Sequence, residues 1–342
     1  MKVLIVDDSV VFRTQIAAAL SGIDTIEVAG SAPNGRIALQ RLEQMQVDLV
    51  TLDIEMPEMD GLAVLKEIRK RNHRVRVIIF SSKTHRGAEK ALLALEAGAD
   101  DVIAKPSGNE SIKDLLVPKI LQFSQKKVVS NPLAVPRSSA PASETFTKRS
   151  LQGAQPSIIV IASSTGGPNA LETIFSKVAQ PIGIPILVAQ HMPPVFTQIL
   201  ARRIADLSHT TCREAVHGEV LKSGCIYIAP GDYHMQLRKN AEVVQLELTQ
   251  GPKRNSVRPA ADYLFETAAE NFGPKCLGIV LTGMGQDGLD GCIALKRAGS
   301  KVLIQDENSC VVFGMPGAVF KADCYDAIGN LDQISQTLSQ FK

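Results

Sequence analysis

An apolar run that passes directly into hydroxyl groups and glycines constrains this chain more than any other stretch. Between Ile158 and Pro168 the sequence reads Ile-Ile-Val-Ile-Ala-Ser-Ser-Thr-Gly-Gly-Pro. The mostly β-branched start predicts a buried strand of a parallel sheet. Gly-Gly-Pro predicts a tight turn into a helix, because the missing N–H of proline is tolerated in the first helical turn. Ser164 is therefore expected at the carboxyl edge of a sheet, where open α/β folds build their sites.

The hydroxyl of Ser164 has two interpretations. The free amides at the start of a helix can hold an anion, including the oxyanion of acyl transfer, which makes Ser164 a candidate nucleophile. Serine and threonine are also ordinary helix N-caps, and Ser-Thr-Gly-Gly can equally form a phosphate cradle. The segment 162–166 matches the Gly-x-Ser-x-Gly nucleophile elbow except at its first position, which is Ala162. This stretch alone leaves the choice open.

Length and composition narrow the class of protein. A chain of 342 residues suits two domains, and its 21% charged and 45% hydrophobic residues are those of a soluble globular protein. A net charge of +2 argues against nucleic acid as a partner. No apolar run is long enough for membrane insertion, and acids interrupt the start too early for a signal peptide. Six cysteines without a Cys-x-x-Cys pair predict reduced, buried thiols in a cytoplasmic protein, with no zinc site.

Polar side chains follow the predicted strands of the first 120 residues. Short apolar runs alternate with helical segments, which predicts right-handed βαβ units and a parallel sheet. Asp7, Asp8 and Asp53 come at strand ends, and clustered carboxylates need a cation, for which their hard oxygen atoms suit Mg²⁺. Lys105 and Ser81 end two further strands at the same edge. A single Asp-Asp pair is typical of a solvated turn, but five such residues at strand ends together indicate a receptacle for a phosphoryl group.

This half resembles a response-regulator receiver domain, which has a flavodoxin-like doubly wound fold. The turn residues Met56-Pro57 and Asp60-Gly61 match the family's turn after the phosphorylated strand. The resemblance implies phosphorylation of Asp53. It also implies that Mg²⁺ is bound by Asp7, Asp8 and Asp53, that Ser81 is the switch hydroxyl, and that Lys105 is the family's lysine before proline. Val102 departs from the family, which usually carries tyrosine or phenylalanine there, so we expect no aromatic relay.

The stretch from 124 to 155 lacks a folding pattern. Prolines are spread among serines, and basic residues outnumber the one acid, Glu144. This composition predicts a flexible linker between a domain of residues 1–123 and a domain of residues 156–342. Its positive charge can serve solubility or bind an acidic partner.

Three predicted strands of the second half end in Ser164, His191 and Asp287. A hydroxyl, an imidazole and a carboxylate are the set that activates a serine nucleophile. Asp262 and Asp290 fall inside helical segments and are poorer candidates. Short runs from Cys225 to about 248 predict an antiparallel hairpin insert at one edge of a parallel α/β domain.

Residues 156–340 resemble the catalytic domain of the chemotaxis protein-glutamate methylesterases. The stretches that carry the resemblance are Ser164-Thr165-Gly166-Gly167, Gln190-His191-Met192-Pro193-Pro194, Tyr227-Ile228-Ala229-Pro230-Gly231-Asp232, Leu281-Thr282-Gly283-Met284-Gly285-Gln286-Asp287-Gly288 and Val312-Phe313-Gly314-Met315-Pro316. Two departures are Ser163, where the family usually has alanine, and Ala260, where serine usually follows Arg-Pro.

The resemblance implies that Ser164 is the nucleophile, His191 the general base and Asp287 the acid that orients it. The amides of Thr165 and Gly166, with that of Met284, are expected to form the oxyanion hole. The implied activity is demethylation of glutamate γ-methyl esters and deamidation of glutamines on methyl-accepting chemoreceptors, which gives sensory adaptation. A chemotaxis histidine kinase is the implied phosphodonor, and ester hydrolysis needs no cofactor.

Three alternatives remain open from the sequence. A transcription factor is a common partner of a receiver, but nothing in the second half indicates helix-turn-helix. A nucleotide-binding domain needs Gly-x-Gly-x-x-Gly, which residues 166–168 do not fit. The third alternative is a catalytically inactive scaffold regulated by phosphorylation, which an ester-hydrolysis assay distinguishes from an enzyme.

Overall fold

The computed structural model describes residues 1–71, 74–107, 110–125, 151, 154–178, 180–208, 210–241 and 243–341. The chain divides into two compact units, Met1–Glu144 and Thr145–Lys342. Most of the predicted linker, residues 126–150, lies outside the described residues, so the predicted domain boundaries stay a prediction. None of the described helices is long and apolar enough to cross a bilayer.

Unit 1 is a five-stranded parallel sheet with helices between its strands. The strands are β1 (Lys2–Val6), β2 (Glu27–Ala32), β3 (Leu49–Asp53), β4 (Arg76–Ser81) and β5 (Asp101–Ala104). The helices are α1 (Val10–Leu20), α2 (Gly35–Gln44), α3 (Gly61–Lys70), α4 (His85–Glu96) and α5 (Ile112–Gln125). The strand order β2-β1-β3-β4-β5 puts β1 beside β3 at the point where the order reverses. The residues that follow β1 and those that end β3 therefore meet at the carboxyl edge of the sheet, where open α/β folds have their functional sites.

Side-chain caps explain where the first four helices begin. Ser9, Asn34, Asp60 and Thr84 each accept a hydrogen bond from the backbone N–H three residues further on. These are the residue types that satisfy the unpaired amides of a helix start. The three central strands β1, β3 and β4 need no such signal, because their continuous, mostly apolar residues are buried on both faces of the sheet.

Unit 2 has a seven-stranded parallel sheet and a separate antiparallel hairpin. The sheet strands are β6 (Ile158–Ser163), β7 (Ile186–Gln190), β8 (Thr211–Glu214), β9 (Cys225–Ile228), β12 (Cys276–Val280), β13 (Lys301–Gln305) and β14 (Ala327–Gly329), and the hairpin is β10 (His234–Asn240) with β11 (Val243–Thr249). The helices are α6 (Gly167–Ser176), α7 (Phe196–Leu207), α8 (Ala261–Phe272), α9 (Leu289–Arg297), α10 (Met315–Lys321) and α11 (Leu331–Leu338). The predicted fold class is thus confirmed: two parallel α/β units, the second with an antiparallel hairpin.

The order of the second sheet is β14-β13-β12-β6-β7-β9-β8, with β6 at its centre. Every residue of β6 is buried. Each fully buried isoleucine there contributes roughly 1.5–3 kcal/mol to the free energy of folding. The run Cys225–Ile228, grouped by the sequence analysis with the antiparallel segment, instead pairs in parallel with β7 and β8. Its four consecutive buried residues fit a parallel sheet, whereas only β10 and β11 form the hairpin.

Candidate active site

The strands β6, β7 and β12 bring the three predicted catalytic residues to one edge of the sheet of unit 2. Ser163, the last residue of β6, is paired with Gln190, the last residue of β7. The amide of His191 donates to the carbonyl of Ser163 over 3.1 Å. On the other side, the amide of Ser164 donates to the carbonyl of Thr282, just after β12, over 3.0 Å. Ser164 and His191 therefore follow directly from neighbouring strands.

The imidazole of His191 is joined to the carboxylate of Asp287. His191 Nε2 lies 2.7 Å from Asp287 Oδ2, and both side chains are buried. With a hydrogen on Nε2, the imidazole donates to the carboxylate, and Nδ1 carries the free lone pair. The pair therefore has the arrangement of a general base, His191, that is oriented by the carboxylate of Asp287.

The carboxylate of Asp287 also lies against the start of α8. It accepts hydrogen bonds from the backbone amides of Ala261, over 2.6 Å, and Asp262, over 3.2 Å. α8 has no side-chain cap of its own, so Asp287 serves its free amides. Burial acts to raise the pKa of Asp287, but the hydrogen bond from His191 and those from the two amides outweigh it and lower the pKa. Asp287 is thus held as an anion beside the imidazole.

The two adjacent serines have different surroundings. The Ser163 side chain is fully buried and donates to Gln190 Oε1 over 2.6 Å. Gln190 Nε2 in turn donates to the carbonyl of Ser164 over 3.0 Å. Ser164 is 8% exposed, and its Oγ makes no hydrogen bond to another described residue. The hydroxyl of Ser163 is therefore occupied, whereas that of Ser164 remains accessible for chemistry.

The turn after Ser164 depends on glycine. Gly166 has a left-handed backbone with φ of 76°, and it precedes α6, whose first turn contains Pro168. A Cβ on Gly166 would lie 2.6 Å from Val311 Cγ2, which is too close for any side chain. Gly283 is equally constrained, because a Cβ there would lie 2.8 Å from Ser164 Cβ. The predicted tight turn is thus present, and it brings the loop after β12 against the serine.

The predicted phosphorylation site in unit 1 is also assembled. The carboxylates of Asp7, Asp8 and Asp53 offer oxygen atoms within 4.8 Å of one another. Lys105 Nζ donates to Asp53 Oδ2 over 2.7 Å and to Asp7 Oδ2 over 3.0 Å. The buried Ser81 ends β4, and its carbonyl accepts from the amide of Lys105 over 2.7 Å. All five predicted residues therefore lie at the carboxyl edge of this sheet.

The buried carboxyl of Asp53 has a perturbed acidity. Burial is the main cause that raises its pKa to about 6; the hydrogen bond from Lys105 opposes the rise, and the charge of Asp7 adds to it. The donor set fits Mg²⁺, because three carboxylates supply hard oxygen ligands and carry more negative charge than one lysine neutralises.

Comparisons with known proteins agree with this architecture. The model of the CheB methylesterase family matches residues 159–338, more than half of the chain. The model of the response regulator receiver domain matches residues 3–117. The chain belongs to the CheB methylesterase family. The predicted resemblance is thereby confirmed for both halves, and it replaces the alternatives of a transcription factor and of a nucleotide-binding domain.

Full-length members of the family align along almost the whole chain. A protein-glutamate methylesterase/protein-glutamine glutaminase of Trichodesmium erythraeum is 42% identical over 98% of this chain and 97% of its own length. A second, from Caulobacter vibrioides, is 43% identical over 98% and 96%. The crystal structure of the CheB methylesterase catalytic domain of Thermotoga maritima is 41% identical and covers 55% of this chain and 99% of its own, with a TM-score of 0.53.

Two polar residues near the candidate site were not predicted to belong to it. Asn255 lies in the loop before α8, and its Nδ2 donates to Asp287 Oδ1 over 3.2 Å. Asp262 was set aside as a helical residue, and it does lie in the first turn of α8, but it is buried against Asp287. The available signal was the single acid Asp262 in the first turn of a helix whose N-cap position, Ala260, has no side chain that can cap it.

Proposed function

We propose that this CheB family member hydrolyses the γ-methyl esters of glutamate side chains on chemoreceptors, and deamidates glutamines, through a covalent intermediate on Ser164. The hydrogen-bonded His191–Asp287 pair at the strand end beside Ser164 is the observation that carries the proposal. The protein-glutamate methylesterase and glutaminase activities named for its relatives support the same conclusion. The receiver-domain match of unit 1 supports control of this hydrolase by phosphorylation.

In the first step, Ser164 Oγ attacks the γ-carbonyl carbon while its proton passes to Nδ1 of His191. The C=O π bond opens, and the negative charge moves to the carbonyl oxygen. Collapse of this tetrahedral intermediate breaks the bond to the methoxy group, and His191 returns the proton so that methanol leaves. A glutamine substrate releases ammonia in the same way. Water then attacks the acyl-enzyme with His191 as base, which regenerates Ser164 and yields glutamate.

Asp287 contributes charge and orientation to both steps. Its carboxylate accepts from Nε2, so the imidazole presents Nδ1 to Ser164, and its negative charge stabilises the imidazolium that forms. The hydroxyl–imidazole hydrogen bond is not formed in the resting site, and such bonds often tighten only when substrate is bound.

Backbone amides at the strand ends are the proposed oxyanion donors. The amides of Gly166 and Met284 make no hydrogen bond within the described part of unit 2. Gly166 lies two residues after Ser164, and Met284 follows Gly283, which packs against Ser164. Thr165 precedes the N-terminus of α6, whose dipole favours negative charge. Removing one oxyanion donor from a serine hydrolase costs about 100- to 1,000-fold in turnover.

Covalent labelling tests the assignment of the nucleophile. An alkyl fluorophosphonate reacts with a serine activated by a neighbouring base and stays attached. We expect about one equivalent to bind, with the phosphonate located on Ser164 by fragmentation of the 158–168 peptide. The His191→Ala variant is the control and should label far more slowly. Attachment to Ser163, or no labelling of a folded protein, contradicts the proposal.

For regulation, we propose that Asp53 accepts a phosphoryl group with Mg²⁺ bound by Asp7, Asp8 and Asp53. When bound, the cation supplies charge neutralisation for the incoming phosphoryl oxygens. Asp53 must be ionised to attack phosphorus, and its pKa of about 6 makes the anion predominant above that pH. Lys105 Nζ, already bonded to Asp53, can follow the new phosphoryl oxygens, and Ser81 offers them a hydroxyl.

The proposed partners rest on the family to which the chain belongs. We propose methyl-accepting chemoreceptors as the substrate and a chemotaxis histidine kinase as the phosphodonor. We place the protein in the cytoplasm, which is supported by six cysteines that form no disulfide among the described residues, five of them buried.

A further inference from the structure

A second carboxylate lies directly behind the proposed catalytic acid. Asp262, in the first turn of α8, is 1% exposed. Its backbone amide donates to Asp287 Oδ1, and its own Oδ1 accepts from the amide of Gly291 over 2.9 Å. Two buried carboxylates side by side repel each other, so the arrangement requires donors that serve both.

Asn255 is the donor that bridges the two carboxylates. Its Nδ2 lies 2.9 Å from Asp262 Oδ2 and 3.2 Å from Asp287 Oδ1. The backbone of Asn255 is left-handed, with φ of 52°, and that of Ser256 is too, with φ of 65°. Such a conformation is strained for residues with a Cβ, although asparagine tolerates it best. The chain therefore adopts a costly turn that directs this amide at the two acids.

Arg254 anchors the turn to the neighbouring helices. Its guanidinium donates to both carboxylate oxygens of Glu266, over 2.7 and 2.8 Å, and to Asp290 over 2.9 Å. It also lies 3.3 Å from Asp262 Oδ2. Bidentate arginine–carboxylate pairs are directional, so the loop is fixed relative to α8 and α9.

We propose that Asn255 and Asp262 are positioning residues for the esterase reaction, acting through Asp287: Asn255 holds both carboxylates in place, and ionised Asp262 adds a second negative charge that favours the His191 imidazolium. Neither residue is proposed to touch substrate. This inference rests on the proposed catalytic roles of Ser164, His191 and Asp287.

Ionisation of Asp262 gives the proposal a pH signature. Burial is the main cause that raises the pKa of Asp262 to about 6, and the charge of Asp287 raises it further. The ionisable groups that face it come from three other elements: Arg254 from the loop before α8, Asp287 from the loop after β12, and Asp290 and Cys292 from α9. Asp262 is therefore neutral well below pH 6 and anionic well above it, so its charge assists the base only at the higher pH.

Three variants of the full-length protein separate positioning from stability. Asp262→Asn removes the charge and keeps the shape. Glu266→Gln is its matched control, because it removes one charge from the same arginine cluster without touching Asp287. Asn255→Gly removes the bridging amide while glycine adopts the left-handed backbone freely. The readouts are kcat and KM for methanol release from methylated receptor between pH 5 and 9, with thermal unfolding as the check of folding.

For Asp262→Asn, we expect the wild-type to variant ratio of kcat to rise from near one at pH 5 to about ten above pH 7, with KM unchanged. The same ratio for Glu266→Gln should not change with pH. Any pH dependence that comes from unit 1 is common to wild type and variant, so it divides out of each ratio. Asn255→Gly should lower kcat about tenfold at every pH. A flat ratio for Asp262→Asn, the same step in Glu266→Gln, or full kcat in Asn255→Gly overturns the proposal. If Asp262→Asn does not fold, the kcat of Asn255→Gly alone tests the proposal: a tenfold loss supports it, and full kcat overturns it.

Measuring Ser164→Ala beside these three variants distinguishes this inference from the catalytic assignment. Loss of activity in Ser164→Ala, together with unaffected Asn255→Gly and Asp262→Asn, means that the triad is correct and the positioning role is wrong. Activity retained in Ser164→Ala means that the catalytic assignment itself is wrong.

Discussion

Replacing Ser164 with alanine is expected to lower kcat for methanol release from methylated receptor by a factor of roughly 1,000 or more. The reaction requires a covalent bond to Oγ, and without it only the oxyanion donors and substrate binding remain. The measurement is the steady-state turnover of the full-length protein in the presence of a phosphodonor.

The adjacent serine supplies the matched control. Ser163→Ala removes an identical hydroxyl one position away, but that hydroxyl is buried and donates to Gln190. Its loss leaves the amide oxygen of Gln190 without this donor, which costs about 1–3 kcal/mol in the free energy of unfolding. We expect Ser163→Ala to unfold at a lower temperature and to keep most of its activity. If Ser163→Ala is inactive and Ser164→Ala is active, the assignment of the nucleophile is wrong.

The Asp53→Asn variant is expected to take up no phosphate from acetyl phosphate. An amide cannot attack phosphorus to form the acyl phosphate, and the neighbouring acids Asp7 and Asp8 are proposed to be occupied as ligands of Mg²⁺. Chelation of Mg²⁺ should abolish labelling of the native chain, because the three clustered carboxylates cannot accept a further dianion unaided. The measurement is intact-protein mass spectrometry with and without a chelator.

Asp60→Asn is a suitable control for that experiment. Asp60 lies in the turn after the same strand, where its carboxylate caps α3 by accepting from the amide of Ala63. Asparagine is an equally good helix cap, so this variant should fold and become labelled normally. Labelling of Asp53→Asn at the native rate, or labelling that persists without Mg²⁺, contradicts the proposed phosphorylation site.

The strands and the residues at their ends were predictable because both depend on local patterns. Buried parallel strands have continuous β-branched runs, and the polar residue after each run marks the sheet edge. Ser164, His191 and Asp53 could be placed for that reason. The short edge strand β8, Thr211–Glu214, has only one buried residue and went unpredicted. β9 was grouped with the hairpin because turn residues follow it closely, and only its pairing partners reveal a parallel strand.

The support behind Asp287 could not be predicted from local patterns. Asn255 reaches that carboxylate through a left-handed turn, 32 residues away in sequence. Asp262 has an ordinary position in a helical first turn, and only the packing of the loop after β12 shows that its carboxyl is buried. The fully occupied hydroxyl of Ser163 is likewise a consequence of its pairing with β7.

Release of methanol from a methylated chemoreceptor, with and without a phosphodonor, depends on both proposed sites at once. We expect the full-length protein to release methanol, and acetyl phosphate with Mg²⁺ to increase the rate. The same addition should leave the basal rate of Asp53→Asn unchanged, and Ser164→Ala should release almost none under either condition. Methanol release that needs no Ser164, or an equal stimulation of native and Asp53→Asn protein, would contradict the account.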